Sequence, residues 1–169
     1  MSETASERDR AVIEVRAVGP ADVPQVAAFI RDLARYERLE HQVDLDETRL
    51  GEHLCGPQPA CGALLARTGV EPVGFALFFP TYSTFRTQPC LWLEDLFVVP
   101  AHRGRGVGLA LLRAVAAEAV RRGCPRLDWA VLDWNTPAIG FYERHGARVL
   151  ADWRICRVDD DALRRLANG

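Results

Sequence analysis

The amino-acid sequence predicts an α/β domain, and three observations favour this class. Short apolar segments typical of strands alternate with stretches in which apolar residues recur at helical spacing. One apolar segment leads through a glycine-rich turn, at residues 104–108, directly into a long helical stretch. The 169 residues are enough for one ordinary hydrophobic core. We therefore expect a disordered leader over residues 1–10 and a single domain over residues 11–169.

The first half of the chain is expected to form a strand, two helices and two further strands. Ile13, Val15 and Ala17 alternate with polar residues and indicate the first strand. Apolar residues from Val23 to Ala34 recur every three or four positions, which predicts a helix ending near residues 36–37. The elements that follow are a helix over residues 46–54, strands over 60–67 and 72–79, and a loop over 80–89.

The second half begins with a strand over residues 91–99 and contains the clearest helix boundaries. A helix begins near Gly106 and stops at Gly123, with Pro125 beyond it. The remaining predicted elements are a strand over residues 127–132, a helix over 137–145, a strand near 153–158 and a short terminal helix.

Charge, cysteine content and hydropathy exclude several classes of protein. The net charge of -2 gives no broad positive field of the kind that binds nucleic acid. The five cysteines include no Cys-x-x-Cys pair and the four histidines show no metal-ligand spacing, so we predict neither disulfides nor a metal site. Residues 1–10 are polar, and no run of ~18 apolar residues occurs. We therefore expect a cytoplasmic protein without nucleic-acid or membrane partners.

The glycine-rich turn between strand and helix is the most specific motif. Gly104, Gly106 and Gly108 let backbone N–H groups approach phosphate oxygens, and the first turn of the helix adds donors and partial positive charge. Further positive charge comes from His102, Arg103 and Arg105. A dinucleotide site would need glycine in place of Leu109, and a nucleoside-triphosphate loop would need a lysine. The motif therefore favours the pyrophosphate of coenzyme A, unless the glycines serve only a tight connection.

Two adjacent carboxylates, Glu94 and Asp95, interrupt the apolar strand before this turn. Successive side chains of a regular strand point to opposite faces, so we expect the two to lie on opposite sides of the sheet. A buried carboxylate is costly unless it is paired or used. The sequence therefore indicates either structural ion pairs or a role in a cleft.

The segment from Arg103 to Gly108, Arg-Gly-Arg-Gly-Val-Gly, matches the Q/R-x-x-G-x-G/A acetyl-CoA motif and resembles the GNAT superfamily of N-acetyltransferases. Residues 33–50, 74–82, 93–108 and 132–147 are further similar to diamine (spermidine/spermine) and thialysine acetyltransferases, and Leu-Asp-Trp-Asn at 132–135 looks more like the thialysine branch. The resemblance implies a homodimer. It also implies the GNAT fold, a mixed and mostly antiparallel central sheet of about seven strands with helices on both faces.

The resemblance also implies which residues bind acetyl-CoA. Backbone groups of residues 96–98 would hold the acetyl and pantetheine end, residues 103–109 would surround the pyrophosphate, and residues 135–138 would also touch the cofactor. The complete implied set is Leu96, Phe97, Val98, Arg103, Gly104, Arg105, Gly106, Val107, Gly108, Leu109, Asn135, Thr136, Pro137, Ala138 and Tyr142. Asn135 and Thr136 are also cap-type residues before Pro137, so a role as helix N-cap is the alternative, and it is compatible with cofactor contact.

The same resemblance implies a catalytic base and a catalytic acid. An amine with a pKa of about 10.4 must lose a proton before it attacks a thioester. The family pattern assigns proton removal, directly or through a water molecule, to Glu94. It assigns protonation of the departing thiolate to Tyr142, for which a place in the core is the alternative. Backbone N–H groups near Leu96 or Phe97 would hold the oxyanion.

For the acceptor amine, the family pattern implies a wall made by the end of the first helix and by the fifth strand. The implied residues are Tyr36, Glu37, Glu94, Asp95, Asp128, Trp129 and Ala130. The alternatives are an exposed helix end for Tyr36 and Glu37 and a plain strand-edge position for Asp128. Arg86 adds a positive charge to a loop that often carries Pro-Trp in the family, and Asp152 stands in a shortened Glu-Gly-Trp motif. The positive charge of Arg86 disfavours long polycations as acceptors.

We therefore predict an acetyl-CoA-dependent N-acetyltransferase. It would acetylate the primary amine of a small cationic acceptor, which is a diamine, a polyamine or a thialysine- or lysine-like amino acid, by direct transfer in a ternary complex. Two alternatives stay open: another acceptor amine, such as a protein lysine, an aminoglycoside or another xenobiotic, and a non-catalytic acetyl-CoA-binding module. Glu94 and Tyr142 argue against the module, since binding alone needs neither an acid nor a base.

Overall fold

The computed structural model describes residues 12–169, so the predicted leader lies outside the described residues. The chain divides after Ala130 into two units, and each is described here by itself. The elements of the first unit are β1 Ile13–Ala17, α1 Val23–Glu37, α2 Glu47–Cys55, β2 Gly62–Thr68, β3 Glu71–Ser83, β4 Gln88–Val98, α3 Val107–Arg121 and β5 Leu127–Trp129. The second unit contains α4 Thr136–Arg144 and α5 Asp160–Asn168.

The first unit is built on one mixed sheet with the strand order β1-β2-β3-β4-β5. Neighbouring strands are antiparallel except for the parallel pair of β4 and β5. The prediction of about seven strands is therefore wrong, because the described residues form five. The predicted strand near residues 153–158 does not pair, and the fifth strand stops at Trp129 rather than at residue 132. An alternating pattern shows only that a segment suits a strand, and a strand forms only where another offers its backbone groups.

Helices cover both faces of this sheet, as predicted. On one face, Phe29 of α1 packs against Phe75 of β3 and Phe97 of β4, with ring centroids 5.9 Å and 5.7 Å apart. On the opposite face, α3 brings Leu111 against Gly74, where an added Cβ atom would lie 3.3 Å from the Leu111 side chain and 2.5 Å from the Phe97 carbonyl oxygen. Glycine at position 74 thus permits the close approach of β4 on one side and α3 on the other.

The segment over residues 80–89, predicted to be a loop, is instead the end of a β-hairpin. β3 continues to Ser83 and β4 starts at Gln88, with Pro80 opposite Leu91 and Pro89 opposite Tyr82. β2 pairs with β3 only as far as Phe78, so Pro80 lies where one side of β3 has no strand neighbour. A proline without an N–H group is tolerated at such an unpaired edge, which is why its presence did not end the strand.

Within the described part of the chain, no helix has the length and apolar character needed to cross a membrane.

Candidate active site

A β-bulge at Glu94 shapes the site. Asp95 pairs with Leu77 of β3 and Leu93 pairs with the next residue, Phe78, so Glu94 is the extra residue of β4. Leu77 belongs to the core cluster that includes α1, so Asp95 shares the face that α1 covers. An unbroken strand would have put Asp95 on the same face as Leu93, because side chains two residues apart share a face. Because of the bulge, Asp95 lies instead on the face opposite to that of Leu93.

Glu94 lies on the same face as Asp95, so the prediction of opposite faces is wrong. Its Oε2 atom accepts a hydrogen bond of 2.8 Å from the indole Nε1 of Trp92. Trp92 is opposite Phe79, which shares the face of Leu77. Sequence reasoning missed Trp92 as the partner of this carboxylate, although the spacing of two residues along one strand was an available signal.

Three carboxylates interact at this face. Burial, followed by the negative charges of Glu94 and then Glu37, together raise the pKa of Asp95 to about 7. Burial also raises the pKa of Glu37, the last residue of α1. Glu94 itself is exposed. A cationic ligand here would offset the mutual repulsion, and Asp95 can take up or release a proton near neutral pH.

No metal centre is formed by these carboxylates. Within residues 12–169, no group of three or more His, Cys, Asp or Glu side chains has the arrangement that could hold a metal ion.

The glycine-rich turn has the backbone conformation that an anion site needs. Gly104 and Gly106 have positive φ angles of 73° and 92°, which other residues rarely adopt. Gly106 is the N-cap of α3 and offers no side-chain cap, so the N–H groups of the first helical turn keep their capacity to bind an anion. A Cβ atom added at Gly104 would meet no atom within 4 Å, so the space beside the turn is open. The turn therefore fits the pyrophosphate of coenzyme A.

The guanidinium of Arg103 is directed toward α1. Its Nε atom donates a hydrogen bond of 3.0 Å to the carbonyl oxygen of Val98. Its Cζ atom lies 4.4 Å from the centroid of the Tyr36 ring, in cation–π geometry. The sequence motif indicated a positive charge for the phosphates, and it gave no sign of this contact with a residue of the first helix.

Residues 96–98 of β4 have main-chain groups that no strand on the β5 side uses. β5 pairs with β4 only from Leu91 to Leu93, and no other described strand takes its place beyond that point. Apart from the Val98 carbonyl oxygen, which accepts the hydrogen bond from Arg103, backbone groups of this segment that point away from β3 are therefore open to an extended ligand. That the main chain here holds the pantetheine arm stays a prediction.

The fifth strand offers less to an acceptor than the sequence implied. The Asp128 carboxylate accepts a hydrogen bond of 2.6 Å from Nε of Arg126, so its charge is already paired within the chain. Trp129 is half-buried and lies opposite Leu93, and Ala130 is exposed at the end of the unit. Of the seven predicted acceptor residues, Glu37, Glu94 and Asp95 interact electrostatically, and Tyr36 precedes Glu37 in α1.

The second unit contains the predicted acid and the predicted helix cap. Asn135 is buried, and its side chain accepts a hydrogen bond of 3.4 Å from the N–H of Ala138, so it is the N-cap of α4. Thr136 is the first residue of that helix and Pro137 the second. Tyr142 is half-buried in α4, with its ring centroid 5.3 Å from that of Phe141. The cofactor contacts of this unit and the acid role of Tyr142 stay predictions.

Comparisons with known proteins agree with these features. The acetyltransferase (GNAT) family model matches residues 26–147. The thialysine N-epsilon-acetyltransferase of Mus musculus is 34% identical, with 90% of this chain and 96% of the relative covered. The L-ornithine N5-acetyltransferase of Arabidopsis thaliana is 30% identical, with 97% of this chain and 92% of the relative covered.

A solved structure shares the fold. It is an integron cassette protein from the mobile metagenome of V. cholerae, with a TM-score of 0.76 at 24% identity, covering 93% of this chain and 98% of that one. The family model spans most of the chain, and the two enzymes align with nearly all of it. The chain therefore belongs to the GNAT family of acetyltransferases and is an N-acetyltransferase.

Proposed function

We propose that the enzyme transfers the acetyl group of acetyl-CoA directly to a primary amine of a small cationic acceptor of the thialysine, ornithine, lysine or short diamine type. The observation that carries this proposal is the set of coupled carboxylates, Glu37, Glu94 and Asp95, on one face of the sheet. An acceptor with a second charged nitrogen is still attracted electrostatically to these carboxylates after its reacting amine has lost a proton. An amine with a single charge loses that attraction when it reacts. The names of the two relatives support the same acceptor class.

Acetyl-CoA supplies the acetyl group as a thioester, and the first unit offers the groups that would hold it. The glycine-rich turn and the first N–H groups of α3 suit the pyrophosphate. The main chain of β4 at residues 96–98, which pairs with β3 on one side and has no strand on the other, suits the pantetheine arm, and N–H groups of Leu96 or Phe97 would stabilise the oxyanion.

Proton transfer is the task of the carboxylates. Removing a proton from an amine of ordinary pKa costs about 4.6 kcal/mol at pH 7. We propose Glu94 as the proton acceptor, directly or through water, with Asp95 beside it. A group whose pKa is about 7, as for Asp95, is well matched to exchange a proton at neutral pH. Tyr142 would protonate the thiolate that leaves.

The acceptor amine is tested with a panel in which free thiol is measured after incubation with acetyl-CoA. The panel contains thialysine, L-ornithine, L-lysine, spermidine, spermine and n-butylamine, which has no second charge. We expect thialysine, ornithine or lysine to react best, and spermine to react less well because Arg86 opposes a long polycation. If n-butylamine is the best acceptor, the carboxylates do not select the substrate and a xenobiotic amine becomes the better candidate.

Glu37→Gln tests the electrostatic argument within the same panel. The variant should raise KM for thialysine about threefold or more at low salt and leave KM for n-butylamine nearly unchanged, because it removes a charge that only a dication uses. Glu52→Gln is the matched control, since Glu52 is an exposed carboxylate on α2. Equal effects on both amines, or equal effects of both variants, would contradict the assignment of Glu37.

The homodimer and the cytoplasmic location stay predictions. Sedimentation velocity tests the first, and fractionation of cells that produce the protein tests the second.

A further inference from the structure

One side chain connects the glycine-rich turn to the end of α1. Arg103 directly precedes Gly104, the first glycine of the turn, and its guanidinium stacks on the ring of Tyr36 at 4.4 Å. Tyr36 is followed by Glu37, the last residue of α1, where Arg38 ends the helix in a left-handed conformation with φ of 62°. The turn that suits a phosphate and the helix end that carries an acceptor carboxylate are thus in direct contact.

The guanidinium is held in this position from more than one side. Its Nε atom donates to the Val98 carbonyl oxygen at 3.0 Å, which fixes the plane of the group at the end of β4. The Phe97 ring lies below it, with its centroid 5.9 Å from Cζ. A hydrogen bond in the plane and a ring across the plane together restrict the side chain more than either contact alone. The Arg103 side chain is therefore a restrained connection between the turn and Tyr36.

We propose that Arg103 is a positioning residue that couples occupancy of the glycine-rich turn to the orientation of Tyr36 and Glu37. The inference rests on the proposed function in assigning coenzyme A to the turn and an amine to the end of α1. Coenzyme A bound to the turn would fix the position of Arg103, and the contact of its guanidinium with the Tyr36 ring would carry that position to α1. Because coupling between two binding sites is reciprocal, an acceptor held by Glu37 also strengthens coenzyme A binding.

A spectroscopic experiment tests the coupling without any acceptor. The chain has three tyrosines, Tyr36, Tyr82 and Tyr142, so incorporation of 3-fluorotyrosine gives three fluorine resonances. Tyr36→Phe identifies the resonance of Tyr36 by its loss. In wild type, we expect saturating coenzyme A to shift this resonance. In Arg103→Gln, we expect the resonance to start from a different position and to lose its response to coenzyme A.

Two variants control this experiment. Arg105→Gln removes the same charge from the same turn, at an exposed residue, and should weaken coenzyme A binding while the Tyr36 response is retained at saturation. Arg103→Lys keeps the positive charge but loses the planar group, so its response should be reduced toward that of Arg103→Gln. Thermal melting confirms that each variant is folded, and calorimetry fixes the coenzyme A concentration that saturates it.

A kinetic double-mutant cycle adds a second readout, with thialysine as the probe. Loss of the stack should raise KM for thialysine about two- to fivefold, the fold-change that corresponds to an exposed cation–π contact. Arg103→Gln and Tyr36→Leu should each have this effect, and the double variant should show little more than either alone. Tyr36→Phe keeps an aromatic ring, so in this background Arg103→Gln should still raise KM for thialysine. A side chain that served only the phosphates would raise KM for acetyl-CoA regardless of residue 36.

The results separate the inference from the function on which it rests. If coenzyme A binds wild type but the Tyr36 resonance is unmoved, or if the response persists in Arg103→Gln, the coupling is refuted while the acetyl-transfer proposal stands. Additive effects of Arg103→Gln and Tyr36→Leu on KM would refute it as well. If coenzyme A fails to bind wild type, the proposed function and the inference fall together.

Discussion

Replacing Asp95 by asparagine should change how stability depends on pH. The pKa of Asp95 is raised from 3.8 to about 7 in the fold. Below about pH 4, the carboxyl group is protonated in both the folded and the unfolded chain. Between pH 4 and pH 7, the unfolded chain releases its proton while the folded chain keeps it, so the free energy of unfolding falls as pH rises, and it levels off above about pH 7. Asparagine resembles the protonated form and has no such slope.

The size of the effect follows from the same shift. A pKa raised by about three units corresponds to about 4 kcal/mol, at about 1.4 kcal/mol for each pKa unit. Part of the Asp95 surface stays exposed, and water and salt screen its repulsion from the exposed Glu94 and from Glu37, which lowers the cost. We therefore expect the free energy of unfolding of wild type to fall by about 1–3 kcal/mol relative to that of Asp95→Asn between pH 5 and pH 8.

Urea unfolding at a series of pH values measures this difference. All other titrating groups are shared by the two proteins, so the change in their stability difference with pH isolates Asp95. Glu94→Gln and Glu37→Gln should each reduce the wild-type slope, because each removes a negative charge that raises the pKa of Asp95. If wild type and Asp95→Asn give parallel stability curves from pH 5 to pH 8, the electrostatic account of this face is refuted.

Three further predictions concern the cofactor turn, the acid and an ion pair. Gly108→Val should weaken acetyl-CoA binding at least tenfold in calorimetry because its side chain obstructs the approach of the pyrophosphate, and unchanged affinity in a folded variant would exclude the turn. Tyr142→Phe should lower kcat about 10²-fold with acetyl-CoA affinity intact, and full turnover between pH 6 and pH 9 would remove Tyr142 from the mechanism. Asp22→Asn breaks the 2.7 Å ion pair with Arg16 and should lower the free energy of unfolding only modestly at pH 7, because solvent screens this surface pair. Since this pair lowers the Asp22 pKa to about 2, the cost should shrink as pH falls below about 4, and urea unfolding that shows a constant difference would contradict it.

The helix ends could be predicted from the sequence because local chemistry determines them. α1 begins at Val23 as predicted and ends at Glu37. α3 ends at Arg121, two residues before Gly123, which has the positive φ of 71° that a glycine favours after a helix. The cap of α4 is likewise local, since the Asn135 side chain reaches a backbone N–H three residues ahead. These features depend on residues within one or two turns of one another.

The site geometry could not be predicted in the same way, because it depends on register between distant segments. Leu93 and Asp95 pair with adjacent residues of β3, which makes Glu94 the extra residue of the bulge. No residue near Glu94 in the sequence specifies that register. The direction of Arg103 is set by Tyr36, which belongs to the first helix. A basic residue beside a glycine-rich turn suggests a phosphate ligand. Only the fold reveals that an aromatic ring contacts the same basic side chain.

The bulge also explains why the electrostatic perturbation falls on Asp95, although the resemblance directs attention to Glu94. In a regular strand, the sheet itself would separate the two carboxylates, and Asp95 would share the face of Leu93 that α3 covers. The extra residue instead moves Asp95 onto the α1 face, where it meets the charge of Glu37 as well as that of Glu94. An amine that approached Glu94 would therefore enter a field of three carboxylates, and the pKa of Asp95, raised to about 7, would let that group exchange a proton near neutral pH. A shift of one residue in strand pairing is sufficient to turn an apparent structural carboxylate into a group suited to proton exchange.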